Sequence, residues 1–320
     1  MASTRLPNAS FSPQLPKLQL FWDSTSLGQL KECPRKYELT LVEGWEPKGG
    51  RNVHLEFGIW MHSGREHYYH SRAKGLPHEE SLLRALHFVL TGTWNRVLNR
   101  PWTSDDPQKN RATLVRSLCW YLDQWASDPM ETLILANGTP AVELSFRFDT
   151  GLRTASTAEP ILLCGHLDRV GKLGDNIYLS DLKTTKHTIK GFSAAEYFAQ
   201  FSPDNQMSLY DIAGKVVYDL PVSGLMVDAV QVAATFTRFH RSPISRNDSQ
   251  REEWFRSFEV YVRAAEGYAQ SDFWPMNDKA CFRCHFRPIC ARPPGARQMW
   301  LEADYQRRSW DPSVPRGNAE

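Results

Sequence analysis

Two β-prone segments, "ILLCGHLDRVGKL" (161–173) and "NIYLSDLKTT", stand either side of the turn signal "GDN". Apolar strands joined by so short a turn specify an antiparallel hairpin, and a hairpin needs further strands and a cover before it is stable. On the second strand Asp181 and Lys183 are two residues apart. Both side chains therefore leave one face while Leu182 enters the other. The first strand supplies Asp168, which pairing would set beside Asp181. Two carboxylates crowded together repel unless a cation neutralises them, and Mg²⁺ or Mn²⁺ prefers such hard oxygen ligands. A lysine beside them suits the orientation of a water for attack on phosphorus. Taken alone, D-x-K also fits an ordinary surface ion pair.

Around the hairpin the texture alternates. "STSLGQLKECPRKYELTLV" reads as a capped helix broken near Pro34. "HLEFGIWMHSGREHYYHSRAKG", "PHEESLLRALHFVLTGTWNRVLNR" and "KNRATLVRSLCWYLDQWA" carry helical periodicity. "AVELSFRF" is a further strand. After the hairpin come a helix around "DNQMSLYDIAGKVVYDL", a strand "DAVQVAATF" and a long amphipathic helix from Ser249 to about Gln270. Helices, a strand group, then helix–strand–helix indicate an α/β fold with a mixed sheet. Residues 1–20, rich in Pro and Ser, read as a flexible arm. Residues 21–292 read as one domain, with a helical insertion at about 75–130 and the metal hairpin at 160–186. The stretch 293–320 reads as a tail.

At 320 residues, with 41% hydrophobic and 23% charged side chains, the chain has the make-up of a globular domain. A net charge of +2 permits a polyanionic partner without demanding one. No apolar run is long enough to span a membrane and no secretory h-region opens the chain, so the expected setting is a reducing cytoplasm, with no membrane partner. No G-x-x-x-x-G-K-[ST] loop is present, so any motor would be a separate helicase.

In that setting cysteines are ligands or small buried residues rather than bridges. Cys119 sits in a helical apolar pattern and Cys164 in a strand, and both read as buried. "CFRCHFRPIC" sets Cys281, Cys284 and Cys290 within ten residues, while thiolate sites take four ligands. Cys33 stands apart from the other two, at a helix break before a basic, aromatic segment. Residue types alone favour zinc.

The set Asp168–Asp181–Lys183 resembles the PD-(D/E)XK nuclease signature, in its RecB-like branch. "GIWMH" (Gly58 to His62) is similar to the branch's G-x-x-x-H motif. "VELSF" around Glu143 is similar to its acidic strand, and "QMSLY" (Gln206 to Tyr210) to its Q-x-x-x-Y motif. Asp181 stands where many members of the superfamily have Glu. The resemblance spans roughly residues 24–292. It implies a restriction-endonuclease-like core, and Mg²⁺ or Mn²⁺ held by His62, Asp168, Asp181 and the Leu182 carbonyl. It further implies Lys183 serving the water, Glu143 as an added catalytic carboxylate, and Gln206 with Tyr210 on the DNA backbone or bracing the hairpin. "CPRKY" and the terminal cysteine triplet are similar to elements of AddB-type nucleases and CRISPR-associated adaptation nucleases. By that likeness Cys33, Cys281, Cys284 and Cys290 hold a [4Fe–4S] cluster, with zinc as the rival occupant. The implied function is a metal-dependent DNA nuclease, more an exonuclease on single strands or duplex ends than an endonuclease. Recombination, repair, phage DNA processing and CRISPR adaptation are its possible settings, with a recombination or CRISPR protein as a possible partner. The alternative is a catalytically silent DNA-binding scaffold on the same fold.

Overall fold

A computed structural model describes residues 10–49 and 52–314. In chain order the elements begin with β1 (Phe21–Trp22), α1 (Ser24–Glu32), α2 (Pro34–Tyr37), β2 (Trp45–Pro47), α3 (Val53–Ala73) and α4 (His78–Gly92). They continue with β3 (Trp94–Asn95), β4 (Arg100–Pro101), α5 (Arg111–Gln124), β5 (Glu131–Thr132), β6 (Val142–Arg153), β7 (Pro160–Leu173) and β8 (Asn176–Thr185). The last are α6 (Phe192–Ala199), α7 (Asn205–Val216), β9 (Val222–Val232), β10 (Thr237–Ile244), α8 (Asp248–Ser271), α9 (Arg287–Cys290), α10 (Arg297–Asp304) and β11 (Tyr305–Arg307).

Seven strands form a mixed sheet in the order β1-β7-β8-β9-β10, with β5 and β6 also on β7. The hairpin is β7–β8, antiparallel from Arg169↔Ser180 to Leu173↔Asn176, with Gly174 at φ +58 in the turn. β8 and β9 are parallel. Parallel neighbours need a crossover, and α6 with α7 supply it. Strand β9 is buried continuously from Gly224 to Val232, as a strand covered on both faces must be. So the fold is mixed α/β, a sheet flanked by helices.

The described chain falls into two compact units. One unit comprises residues 52–144 and 166–246. In it Phe57, Met61, Gly64, Arg65 and Tyr68 of α3 lie on one buried stripe with helical spacing. That stripe shares a core with Leu114 and Leu118 of α5, Val89 of α4, Leu182 of β8 and Val230 of β9. The expected helical insertion holds α4 and α5. The helical reading past Gly92 is corrected: the α4 helix stops there, and "WNRVLNRP" forms the β3–β4 hairpin, because Asn99 turns at φ +47.

The other unit comprises, of the described residues, 10–49, 145–165 and 247–314. Pro34 separates α1 from α2, and Asp23 caps α1 by accepting from the Ser26 amide at 2.7 Å. Of the expected arm, residues 1–9 lie outside the described residues, and Phe11, Leu18 and Leu20 are buried. In the expected tail, α10 leads into β11, which pairs antiparallel with β2. Among the described residues no helix is long and apolar enough to cross a membrane.

Candidate active site

Helix α3 starts at Asn52, whose side chain accepts from the His54 amide at 2.8 Å. Ten residues later it presents His62 to the hairpin. The ring faces three strands. Its Nε2 stands 2.9 Å from the Leu182 carbonyl, and its Nδ1 stands 3.1 Å from Asp168 Oδ2 and 4.0 Å from Glu143 Oε1. The Asp168 approach is close enough for an ion pair but is off the angle of a hydrogen bond, so buried Nδ1 lacks a hydrogen-bond partner. Ligand atoms of His62, Glu143 and Asp168 lie within 4.8 Å of one another.

Asp168 Oδ2 accepts from the Leu182 amide at 2.9 Å and from Arg65 NH2 at 3.1 Å. Burial raises the cost of its charge, but His62, then Arg65 and Lys183, overcome that and hold its carboxyl well below the usual range. Asp181 is 1% exposed and experiences the opposite balance. Burial and the neighbouring Asp168 charge push its carboxyl up, against the pull of Lys183. Lys183 Nζ lies 2.7 Å from Asp181 Oδ2, yet neither Asp181 oxygen has an aligned hydrogen bond. Burial disfavours the Lys183 ammonium, and Asp181 more than restores it, so it stays protonated. For His62 too, burial opposes the charge and Asp168 outweighs burial, so its affinity for a proton is raised.

Glu143 reaches this place through its backbone. Val142, Glu143 and Leu144 are all buried, which plain strand alternation cannot give. Glu143 has φ +49, in the left-handed region, and this twist turns its carboxylate inward. Behind Lys183, helix α7 supplies a relay: the ammonium donates to Gln206 Oε1 at 2.5 Å, and Gln206 Nε2 donates to the Tyr210 hydroxyl at 2.8 Å. Gln206 and Tyr210 thus stand as a brace for the lysine.

Arg65 was missed by sequence reasoning. It is 2% exposed and lies three residues after His62, on the same helical face. That spacing was its only signal. The glycines also read differently. A Cβ on Gly58, the first residue of "GIWMH", would meet only Thr184 Oγ1 at 3.8 Å, whereas one on Gly64 would meet Leu118 Cδ2 at 2.4 Å. Gly64 is the position that close helix packing requires.

The four cysteines fall in the other unit. Cys33 is 5% exposed, and its Sγ accepts from the Asn277 amide at 3.3 Å. Cys284 and Cys290 pack partly buried against Leu39, Trp45, Phe286 and Ile289. Burial pushes the Cys290 thiol up; Arg35 and Arg297 oppose this, and Cys284 and Cys33 add to it. Cys164 is buried and Cys119 partly exposed.

The sequence profile of the PD-(D/E)XK nuclease superfamily matches residues 24–291, across the whole of this site. The chain belongs to the PD-(D/E)XK nuclease superfamily. Its mixed sheet between helices is the restriction-endonuclease-like fold, and PD-(D/E)XK nucleases use divalent metals. The buried donor set fits that role, since His62, Glu143 and Asp168 bring ligand atoms within 4.8 Å of one another and His62 Nδ1 is without a hydrogen bond; Asp181 is not among that set. A solved structure, that of SSO0001, aligns over 85% of this chain and 87% of its own at 9% identity and a TM-score of 0.34, too distant a likeness to carry an argument. No curated protein matches the chain.

Proposed function

We propose that this PD-(D/E)XK protein is a Mg²⁺- or Mn²⁺-dependent deoxyribonuclease that works as an exonuclease on single strands or duplex ends. The observation that carries the reading is the buried donor cluster: ligand atoms of His62, Glu143 and Asp168 lie within 4.8 Å of one another, with the Asp181–Lys183 pair on the adjacent strand. Such a group is costly to bury unless a cation completes it. His62, Asp168, Asp181 and the Leu182 carbonyl would hold the metal, with Glu143 as a further carboxylate. Bound there, the ion would neutralise charge developing on the phosphoryl group. The Lys183 ammonium, protonated and braced by Gln206, donates a hydrogen bond that orients water toward phosphorus. Water then forms the new P–O bond and gives up a proton to solvent, the P–O bond to the departing sugar breaks and the sugar oxygen takes a proton, and one phosphate end and one hydroxyl end result. Arg65 keeps Asp168 ionised and fixed.

Recombination, repair, phage DNA processing and CRISPR adaptation all use such an activity, alone or beside a separate helicase. The deciding assay offers end-labelled linear and circular DNA to the purified chain with Mn²⁺. Release of mononucleotides or short products from linear DNA, with circles spared, is expected, and Asp181→Ala should abolish it while leaving the fold intact. Undiminished cleavage in excess EDTA would overturn the metal mechanism.

For the cysteines the reading is a [4Fe–4S] cluster on Cys33, Cys281, Cys284 and Cys290. Its support is the buried Cys33 thiol with an amide donor, and the electrostatic reach of Cys33 and Cys284 to Cys290. Protein purified without oxygen should be brown and contain iron. A colourless protein with one zinc would replace this reading.

A further inference from the structure

The segment leaving β8, Lys186 to Gly191, carries three basic residues within five positions: Lys186, His187 and Lys190. It is pinned at its middle. Ile189 is 2% exposed, its amide donates to Gln231 Oε1 at 3.4 Å, and its carbonyl faces His240 Nδ1 at 3.2 Å. Gly191 follows at φ 61 and ψ −143, a backbone conformation that is essentially glycine's alone. This turn throws the next side chain outward: Phe192 is 88% exposed at the first position of α6. At the other end of that helix Tyr197 is buried beside Thr185 and close enough to Asp181 to feel its charge. Tyr197 lies five positions after Phe192, about 7.5 Å of helical rise. Phe192 thus opens the helix that follows β8, the strand carrying Asp181 and Lys183, with Lys190 two positions before it. The acids nearby are Asp106, already paired with Lys186 at 2.5 Å, and exposed Glu196 on α6 itself.

An aromatic face held out on a fixed turn beside cations is the combination that binds single strands. The cations follow phosphates, and the ring stacks on any base. We propose that Phe192 is a stacking platform for an unpaired base of the DNA strand next to the active site, with Lys190 along its phosphates. The inference rests on the nuclease reading and adds to it the strand state of the substrate: the base at this position is unpaired.

The test measures binding rather than cleavage. Full-length protein in EDTA is titrated into a labelled single-stranded oligonucleotide and into a blunt duplex, and a 2-aminopurine base reports stacking. Phe192→Ala, at an exposed position, should keep the melting temperature and weaken single-strand binding about 5- to 150-fold, the range of one lost base stack. Duplex affinity should change little, the 2-aminopurine quench should disappear, and Phe192→Trp should restore both quench and affinity. Equal single-strand affinity of wild type and Phe192→Ala would overturn the inference and mark Phe192 as a protein contact. An equal loss on both substrates would also overturn it. If the wild type binds no DNA, the nuclease reading itself fails, and this inference with it.

Discussion

Lys109 shows at the scale of one residue how a charge can be buried without a function to explain it. It is 2% exposed, its Nζ has no hydrogen-bond partner, and the ammonium sits 4.3 Å from the centre of the Phe57 ring. Burial, aided by the charge of Lys186, pulls its pKa down to about 8, against the pull of Asp106. The folded state therefore binds the proton less well than the unfolded chain, whose lysine titrates near 10.5. The penalty is constant below about pH 8, so this group's contribution to stability rises as pH climbs from about 8 to 10.5 and is lost as pH falls back through 8. Lys109→Met keeps the shape and removes the charge. It is expected to stabilise the protein at pH 7 by on the order of 1–3 kcal/mol and to flatten the rise above pH 8. Urea titrations of both proteins across pH 7–10.5 measure this. Lys183 contrasts with it, because its ammonium has both an acid and a brace. Lys183→Ala should lower the cleavage rate on the order of 10²–10⁴-fold with DNA affinity kept. Equal cleavage by variant and wild type would remove Lys183 from the mechanism.

At the scale of elements, α3 carries the most information, since it delivers both His62 and Arg65 while packing closely on α5. Its two glycines are expected to respond in opposite ways. Gly64→Ala places a Cβ 2.4 Å from Leu118 Cδ2 and should cost about 1–3 kcal/mol through overpacking. Gly58→Ala meets only Thr184 Oγ1 at 3.8 Å, so the gain in helix propensity, up to about 1 kcal/mol, should decide its sign. Thermal denaturation of the pair checks this, and a Gly58→Ala variant less stable than Gly64→Ala would contradict the packing account.

At the scale of the whole molecule, the carboxylate site and the cysteines occupy different units of the chain. Lesions in them should therefore be separable. Cys284→Ala is expected to lower both the melting temperature and the iron content, because metal binding is coupled to folding, whereas Lys183→Ala should change neither. Calorimetry and iron analysis of the two variants suffice. A Cys284→Ala protein with full iron and unchanged melting would exclude this cysteine as a ligand.

The β7–β8 hairpin was legible in the sequence because strand alternation and a tight turn are local patterns, and with them came Asp168, Asp181 and Lys183. Most helices were legible for the same reason. Arg65 was not, since one arginine among the polar residues of a helix gains meaning only when a distant strand sets Asp168 against it. Glu143 was found by motif, but its inward turn depends on a positive φ that no side-chain pattern encodes. Strand β10, helix α6 and the pairing of β11 with β2 also went unread. The short or mixed segments that form them have weak local signals, and they acquire order by covering an edge that the rest of the chain creates. The sequence by itself determined the hairpin and placed Asp168, Asp181 and Lys183 on it, because strand alternation and a tight turn are local patterns. The tertiary structure decided which of them share an oxygen, which are buried without a partner, and that the cysteines belong to another unit, because those outcomes depend on packing between residues more than a hundred positions apart.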